Sequence, residues 1–243
     1  MNKKLFFAVV AILLVVGAAF ALTSGLSRKS IELPGPPSEV VAQKTLAVSA
    51  EVLPSEETPL FKTLMTKDAD ASAAIYEVQA GDNLTKIAKQ HGVTVGLIKR
   101  VNQLASDVIR PGMKLEIPTQ KFSVVVDKSQ NILILKAGEE VLKTYTVSTG
   151  TNNSTPVGVF KATDKLLNPT WYKAGAVVAP DSPENVLGTR WIGIDKPGYG
   201  IHGTTEPDKL GQQVTAGCVR MKNEDVEELY DIVPSGTEIT IVD

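Results

Sequence analysis

The run Thr215-Ala216-Gly217-Cys218-Val219-Arg220-Met221 contains the only cysteine of this 243-residue chain. Upstream of it, Gly200-Ile201-His202-Gly203-Thr204 carries one of the two histidines, with twelve residues (203 to 214) between His202 and Thr215. A lone thiol cannot close an internal disulfide. In an exported chain it is retained by burial or by chemistry. A thiol becomes nucleophilic when a base takes its proton, and a histidine brought alongside by the fold is the usual base. The two stretches therefore read together as a candidate nucleophile and its base.

Export is indicated by the start of the chain. Lys3 and Lys4 precede the uncharged apolar stretch Leu5 to Leu22, eighteen residues long. That length lies between a signal-peptide core and a membrane span. Ala19-Phe20-Ala21 fits a small-x-small cleavage site, so residues 1–22 read either as a cleaved signal peptide or as an N-terminal anchor in the inner membrane. Both readings place the remainder in the extracytoplasmic envelope, periplasm or cell wall. Lys3 and Lys4 favour a cytoplasmic N-terminus, and Arg28 and Lys29 weaken that bias. No cysteine follows the segment to carry a lipoprotein anchor.

Composition removes other classes. The formal net charge is −2 and no basic cluster interleaves with aromatics, which disfavours nucleic acid as a partner. One cysteine and two histidines cannot form a Cys/His zinc site of the usual spacing, and no cofactor is implied.

Residues 23–74 read as a disordered stalk. Pro34, Pro36, Pro37, Pro54 and Pro59 interrupt it, and Ser, Thr, Ala and Glu fill much of the rest. A short strand at Glu39 to Val48 is the one pattern it offers. About 50 disordered residues would reach roughly 40 Å, enough for a tether.

Residues 75–118 read as strand, helix, helix, strand. Tyr76-Glu77-Val78 is extended and Gly81-Asp82 is a turn, with Asp82 as the expected N-cap. Leu84, Ile87, Ala88 and His91 follow at helical spacing, and Gly92 ends that helix. Thr94 is placed to cap a second helix with Leu97, Ile98 and Val101 inward. Arg110-Pro111-Gly112 turns the chain into the strand Lys114 to Pro118. The strings Tyr76 to Leu84, Ile87-Ala88, Val93-Thr94-Val95, Asn102 and Arg110 to Pro118 resemble a LysM module. The resemblance implies binding to the N-acetylglucosamine-containing glycan strands of peptidoglycan or chitin. It places the groove between Gly81, Asp82, Asn83 and Leu84 on one side and Ile109, Arg110, Pro111 and Gly112 on the other. Much of the pattern also serves structure alone, so a purely structural module is the competing reading. His91 reads as a helix-end residue that favours the dipole.

Residues 121–243 are strand-rich. Phe122 to Val126, Ile132 to Leu135 and Val141 to Ser148 are separated by turns and read as consecutive antiparallel hairpins. A helix follows late, with Asn223 as its cap, Glu224 and Asp225 in its first turn, and Val226, Leu229, Tyr230 and Val233 as its buried stripe. Pro234 stops it, and Glu238 to Val242 is a last strand. The fold class is therefore α+β, mainly β: a small βααβ module followed by a sandwich- or barrel-like domain with one C-terminal helix.

Thr155 to Phe160, Asn168 to Trp171, Leu187 to Gly193, Gly200 to Thr204 and Thr215 to Met221, in that order, resemble the L,D-transpeptidase catalytic domain of the YkuD type. The resemblance implies peptidoglycan stem peptides as substrate. Cys218 is then the nucleophile and His202 the base, forming an imidazolium partner for the thiolate. The Gly203 carbonyl orients the ring, and the backbone N–H groups of Gly217 and Cys218 hold the oxyanion. Thiolate attack at the third stem residue expels D-alanine, and a second stem amine takes the acyl group to give a 3→3 cross-link. Arg220 reads either as a partner for a substrate carboxylate or as a structural ion pair. Thr215 either contacts the reacting groups or shapes the turn, and Trp191 is a substrate contact or core. Trp171, Tyr172 and the stretch from Lys173 to Gly188 could cover the site as a lid. Many relatives have histidine where this chain has Ala216, which removes any contact that residue would supply. Water as acceptor would make the same pair an L,D-carboxypeptidase. A non-catalytic glycan-binding scaffold, with Cys218 unreactive, is the reading of another class. An unrelated cysteine protease would leave the other motifs without explanation.

Overall fold

The structure is a computed structural model that describes residues 57–65, 73–173, 175–180 and 182–243. The export segment, the strand expected at residues 39–48 and most of the expected stalk lie outside the described residues. Among the described residues no helix is long and apolar enough to cross a membrane.

The first described element, α1 (Pro59–Leu64), falls within the stretch expected to be disordered. Thr58 caps it by accepting from the Phe61 N–H, and Pro59 occupies the first turn, where its missing donor costs nothing. Six residues are too few to hold a helix alone. Burial of Phe61 and Leu64 in the core of the C-terminal domain supplies what local propensity does not. The Thr58 hydroxyl also donates to Leu142 O at 2.9 Å.

The N-terminal module pairs β1 (Ala73–Glu77) antiparallel with β2 (Lys114–Pro118), with α2 (Leu84–His91) and α3 (Val95–Val101) between them in sequence. Val78, Leu84, Ile87, Ala88, Ile98, Leu115 and Ile117 form its core. Gly92 ends α2 in the left-handed region at φ 67°, and Thr94 caps α3, both as the sequence predicts. The cap of α2 is Asn83, not Asp82. Asn83 Oδ1 accepts from Lys86 N at 2.9 Å, whereas Asp82 Oδ2 already accepts from Gln79 N and the Tyr76 hydroxyl. Buried Asn102 joins α3 to β2 through bonds to Ile98 O, Glu116 O and Glu116 N.

In the C-terminal domain β3 (Phe122–Asp127), β4 (Ile132–Ala137) and β5 (Glu140–Gly150) form the expected antiparallel hairpins. Then come β6 (Gly158–Leu167), β7 (Trp171–Lys173), β8 (Ala176–Val178), β9 (Arg190–Ile194), β10 (Gly200–His202), β11 (Gln213–Thr215), β12 (Val219–Met221), α4 (Asn223–Ile232) and β13 (Glu238–Val242). The main sheet runs β11-β5-β12-β10-β9-β6-β13-β3-β4, and β4 also pairs with β5. Long β5 thus meets β4 with its first part and β12 with Val147 and Ser148, which closes the sheet into a barrel-like ring. β7 and β8 form a separate hairpin with Tyr172 and Val177 exposed.

α4 lays Val226, Leu229 and Ile232 into this core, each fully buried and worth roughly 1.5–3 kcal/mol. Tyr230, expected in the stripe, is only half-buried and packs at the core's margin; Ile232 takes the inner position. The carbonyls of Tyr230 and Val233 at the helix end accept from Lys165 Nζ. Burial brings the pKa of that lysine down to about 8.

α3 packs against α4. Gly96 leaves no space for a Cβ, which would meet Asp231 Oδ1 at 2.5 Å. Arg100 Nε lies 2.9 Å from Asp231 Oδ2, and the Thr94 hydroxyl donates to the Asp231 carbonyl. Leu97 and Val101 belong to the same core as Leu229, Ile232 and Val233, so the two folded units share apolar packing.

Candidate active site

Cys218 sits on a turn between β11 and β12. The Thr215 hydroxyl donates to Cys218 O at 2.6 Å and accepts from Gly217 N at 3.1 Å. One side chain therefore ties both ends of the three-residue turn. Gly217 has φ 137°, and a Cβ there would meet the Tyr199 ring at 2.7 Å, so glycine is required. The Gly217 N–H, expected to serve an oxyanion, is engaged by Thr215 instead. Cys218 is half-buried, with Sγ 3.6 Å from Gly198 O. Burial pushes the thiol pKa up, and a backbone hydrogen bond at Gly200 opposes it.

β10 runs parallel to β12 with Ile201 opposite Val219 and His202 opposite Arg220. Side chains alternate along a strand. His202 and Arg220 therefore share a sheet face, and Cys218 lies in the turn directly before β12, two residues before Arg220. His202 is 3% exposed, and its Nδ1 lies 2.7 Å from Gly203 O. A carbonyl only accepts, so Nδ1 carries the proton and Nε2 holds the lone pair. Desolvation, foremost, brings His202 down to about 4; the Gly203 bond acts the other way and the Arg220 charge adds to the lowering. Burial disfavours the charged form of both groups and so favours thiol with neutral imidazole over the imidazolium–thiolate pair expected from the sequence.

Trp191, on neighbouring β9, stacks on His202 with ring centroids 6.0 Å apart and planes 13° apart. Its indole N–H donates to Asp164 Oδ2 at 3.1 Å. Gly200 permits this packing, since a Cβ there would strike the Trp191 ring at 2.6 Å. Arg220, for which the sequence leaves two readings open, is paired with Glu206 Oε2 at 3.0 Å and nearly buried. Lys209 and then Arg220 hold the Glu206 carboxyl below its usual range.

Sequence reasoning missed Asn223 as a site residue. It is the first residue of α4 rather than its cap, a place taken by Lys222 without a side-chain bond. Asn223 Oδ1 instead accepts from Thr189 N at 3.3 Å and Thr204 N at 3.0 Å. It also missed Glu206, the partner of Arg220, and Tyr199, whose ring packs on Gly217.

In the N-terminal module, Val78 N donates to Met113 O and Gly112 N to Val78 O, which draws the two expected groove loops together. Gly81 and Gly112 have φ of 85° and 83°. Gly81, Asn83, Arg110, Pro111 and Gly112 are exposed, Asp82 and Ile109 are half-buried, and Leu84 is buried. Leu84 therefore belongs to the core and not to a groove wall. His91 lies at the end of α2, edge-on to Tyr76.

With this geometry in view, the comparisons are direct. Residues 121–241 match the L,D-transpeptidase catalytic domain (YkuD), and residues 76–118 match the LysM domain. YkuD of Bacillus subtilis (strain 168), named as an L,D-transpeptidase, is 31% identical over 173 residues, covering 68% of this chain and 97% of that protein. YqjB of the same organism, named likewise, is 40% identical over 126 residues, covering 49% and 70%. Among solved structures, an L,D-transpeptidase from Mycobacterium smegmatis aligns with a TM-score of 0.42 at 21% identity, over 54% of this chain and 64% of that one, just under two thirds of its length.

The fold and site define an acyltransferase enzyme class built on a barrel-like β domain behind a LysM module. The chain belongs to the YkuD-type L,D-transpeptidase family. Its two domains imply peptidoglycan as both binding partner and substrate, and action outside the cytoplasm.

Proposed function

We propose that this chain forms 3→3 cross-links in peptidoglycan, with Cys218 as nucleophile and His202 as base. The observation that carries this reading is the His202 Nδ1 contact with Gly203 O, which leaves Nε2 as an acceptor on the strand paired with β12, the strand that Cys218 directly precedes. As Sγ attacks the carbonyl of the third residue of a tetrapeptide stem, Nε2 takes the thiol proton. The S–C bond forms, the C–N bond to D-alanine breaks, and His202 returns that proton to the leaving amine. An amine of a second stem then attacks the thioester, gives its proton to Nε2, and releases Cys218 as the thiol. A neutral base suits this sequence, because it accepts a proton only while the S–C bond forms.

The Cys218 N–H is the oxyanion donor in this reading, since Thr215 engages the N–H of Gly217. Arg220 acts through its pair with Glu206 and contributes charge beside His202. The exposed loops at Gly81 to Asn83 and Arg110 to Gly112 take the glycan strand. A segment at residues 1–22, cleaved or retained as an anchor, delivers the chain to the envelope.

The test is to incubate purified tetrapeptide stems with wild type and Cys218→Ala and to identify products by mass spectrometry. A 3→3 dimer made only by wild type is the expected result. Shortened monomers alone would make water the acceptor and the enzyme a carboxypeptidase. Unchanged stems, with no covalent adduct at Cys218 under reducing conditions, would leave only a glycan-binding scaffold.

A further inference from the structure

We infer that Asn223 is a positioning residue for the base: it fixes the tautomer of His202 by pinning the peptide plane between Gly203 and Thr204. This inference rests on the proposed role of His202. The Thr204 N–H and the Gly203 C=O belong to one planar trans peptide, so they point in opposite directions. On one side of that plane Asn223 Oδ1 accepts from Thr204 N at 3.0 Å. On the other side Gly203 O faces His202 Nδ1 at 2.7 Å. Holding the N–H fixes where the carbonyl points. Two bonds through one amide also polarise each other in the same sense.

The surroundings are shaped around this contact. Asn223 Oδ1 accepts a second bond from Thr189 N at 3.3 Å and so joins the loop before β9 to the loop after β10. A Cβ on Gly188 or on Gly203 would lie 2.2 Å from the same oxygen, so both loops present glycine to it. The Gly203 N–H donates to Arg190 O at 3.2 Å, which restrains the other end of the residue. Asn223 opens α4, whose Val226, Leu229 and Ile232 are fully buried. The acceptor is thus anchored on a rigid element, and it reaches the site through the backbone without facing the reacting atoms.

The experiment compares wild type, Asn223→Leu and Asn223→Asp by ¹⁵N spectroscopy of the His202 ring and by the rate of Cys218 acylation with a carbapenem. Wild type should show the tautomer protonated at Nδ1. Asn223→Leu, similar in size but without an acceptor, should lose that single tautomer and acylate about tenfold more slowly. Asn223→Asp keeps the acceptor and should restore the tautomer and most of the rate. An unchanged tautomer and rate in a folded Asn223→Leu would overturn the inference. So would slower acylation with the tautomer intact, which marks a merely structural role. Should that variant not fold, wild type still decides: the Thr204 amide must be protected from hydrogen exchange, and free exchange would sink the idea. Failure of wild type to acylate at Cys218 would count against the proposed function instead, since the tautomer comparison reads the positioning role separately.

Discussion

The two halves of the candidate catalytic pair are held in different ways. Cys218 is positioned by its own turn: Thr215 bonds to Gly217 N and Cys218 O within four residues of sequence. His202 is positioned by the whole domain. Its ring is bonded to Gly203 next to it and stacked on Trp191 of β9, the Arg220 charge on β12 acts on it, and Asn223 of α4 lies behind the peptide. The Cys218 turn is therefore encoded largely locally and the setting of His202 by tertiary structure. Damage should spread to His202 from far away in sequence, and to Cys218 chiefly from its own turn and the Gly198–Tyr199 segment packed on it.

The largest expected effect is at the nucleophile itself. Cys218→Ala should lower turnover by more than about 10⁴-fold. The melting temperature should scarcely change, because the thiol's contact to Gly198 O is long, at 3.6 Å. A large loss of stability would mean that the turn depends on the thiol.

Next comes the pH dependence of folding, which probes the base. The folded pKa of His202 is about 4, below the 6.5 of a free imidazole. Between those values the unfolded chain binds more protons, so the contribution is present above pH 6.5 and is lost as pH falls toward 4. It amounts to on the order of 3 kcal/mol. Denaturant titrations of wild type and His202→Gln across that window should show the steeper fall in wild type. Parallel curves would show that burial does not hold the imidazole neutral.

Thr215→Val tests local encoding. It removes the hydroxyl and leaves the Gly217 N–H and Cys218 O without their partner, a cost of about 1–3 kcal/mol. Acylation should slow by about 10–100-fold while the His202 ring resonances stay in place. Movement of those resonances would break the separation between the two halves. Trp191→Leu makes the reverse test and should have the smallest effect, about 0.5–1.5 kcal/mol from the lost ring stacking. It should disturb the ring of His202 and leave the Thr215–Cys218 turn unaltered, as read by their chemical shifts.

The same division explains what was legible in the sequence. The hairpins of β3 to β5, the strand β13 and the caps at Gly92 and Thr94 follow from local periodicity and turn chemistry and appear as read, and α4 lies where expected, though with Ile232 rather than Tyr230 on its inner face. The Gly203 carbonyl was singled out by family resemblance, not by any local pattern, and it lies 2.7 Å from His202 Nδ1. The engagement of Gly217 N–H by Thr215 was not legible, because a threonine two residues away has several possible partners. Nor was α1, whose six residues gain their stability from Leu142 and from core residues far along the chain. Asn223 looked like a helix cap because local rules favour that use. Its side chain bonds Thr189 and Thr204 instead, which only the closed barrel brings beside it. Likewise, the packing of α3 on α4 depends on Gly96 and Asp231 meeting across 135 residues of sequence, with no local trace.

The central claim is that His202 activates Cys218 for acyl transfer, and the rate of acyl-enzyme formation tests it most directly. Wild type and His202→Gln are mixed with a tetrapeptide donor under reducing conditions, and intact masses are followed in time. Wild type should gain the mass of the stem less D-alanine, localised to Cys218, and His202→Gln should gain it about 10²–10⁴-fold more slowly. Equal rates in the two proteins, or no adduct on wild-type Cys218, would contradict the account.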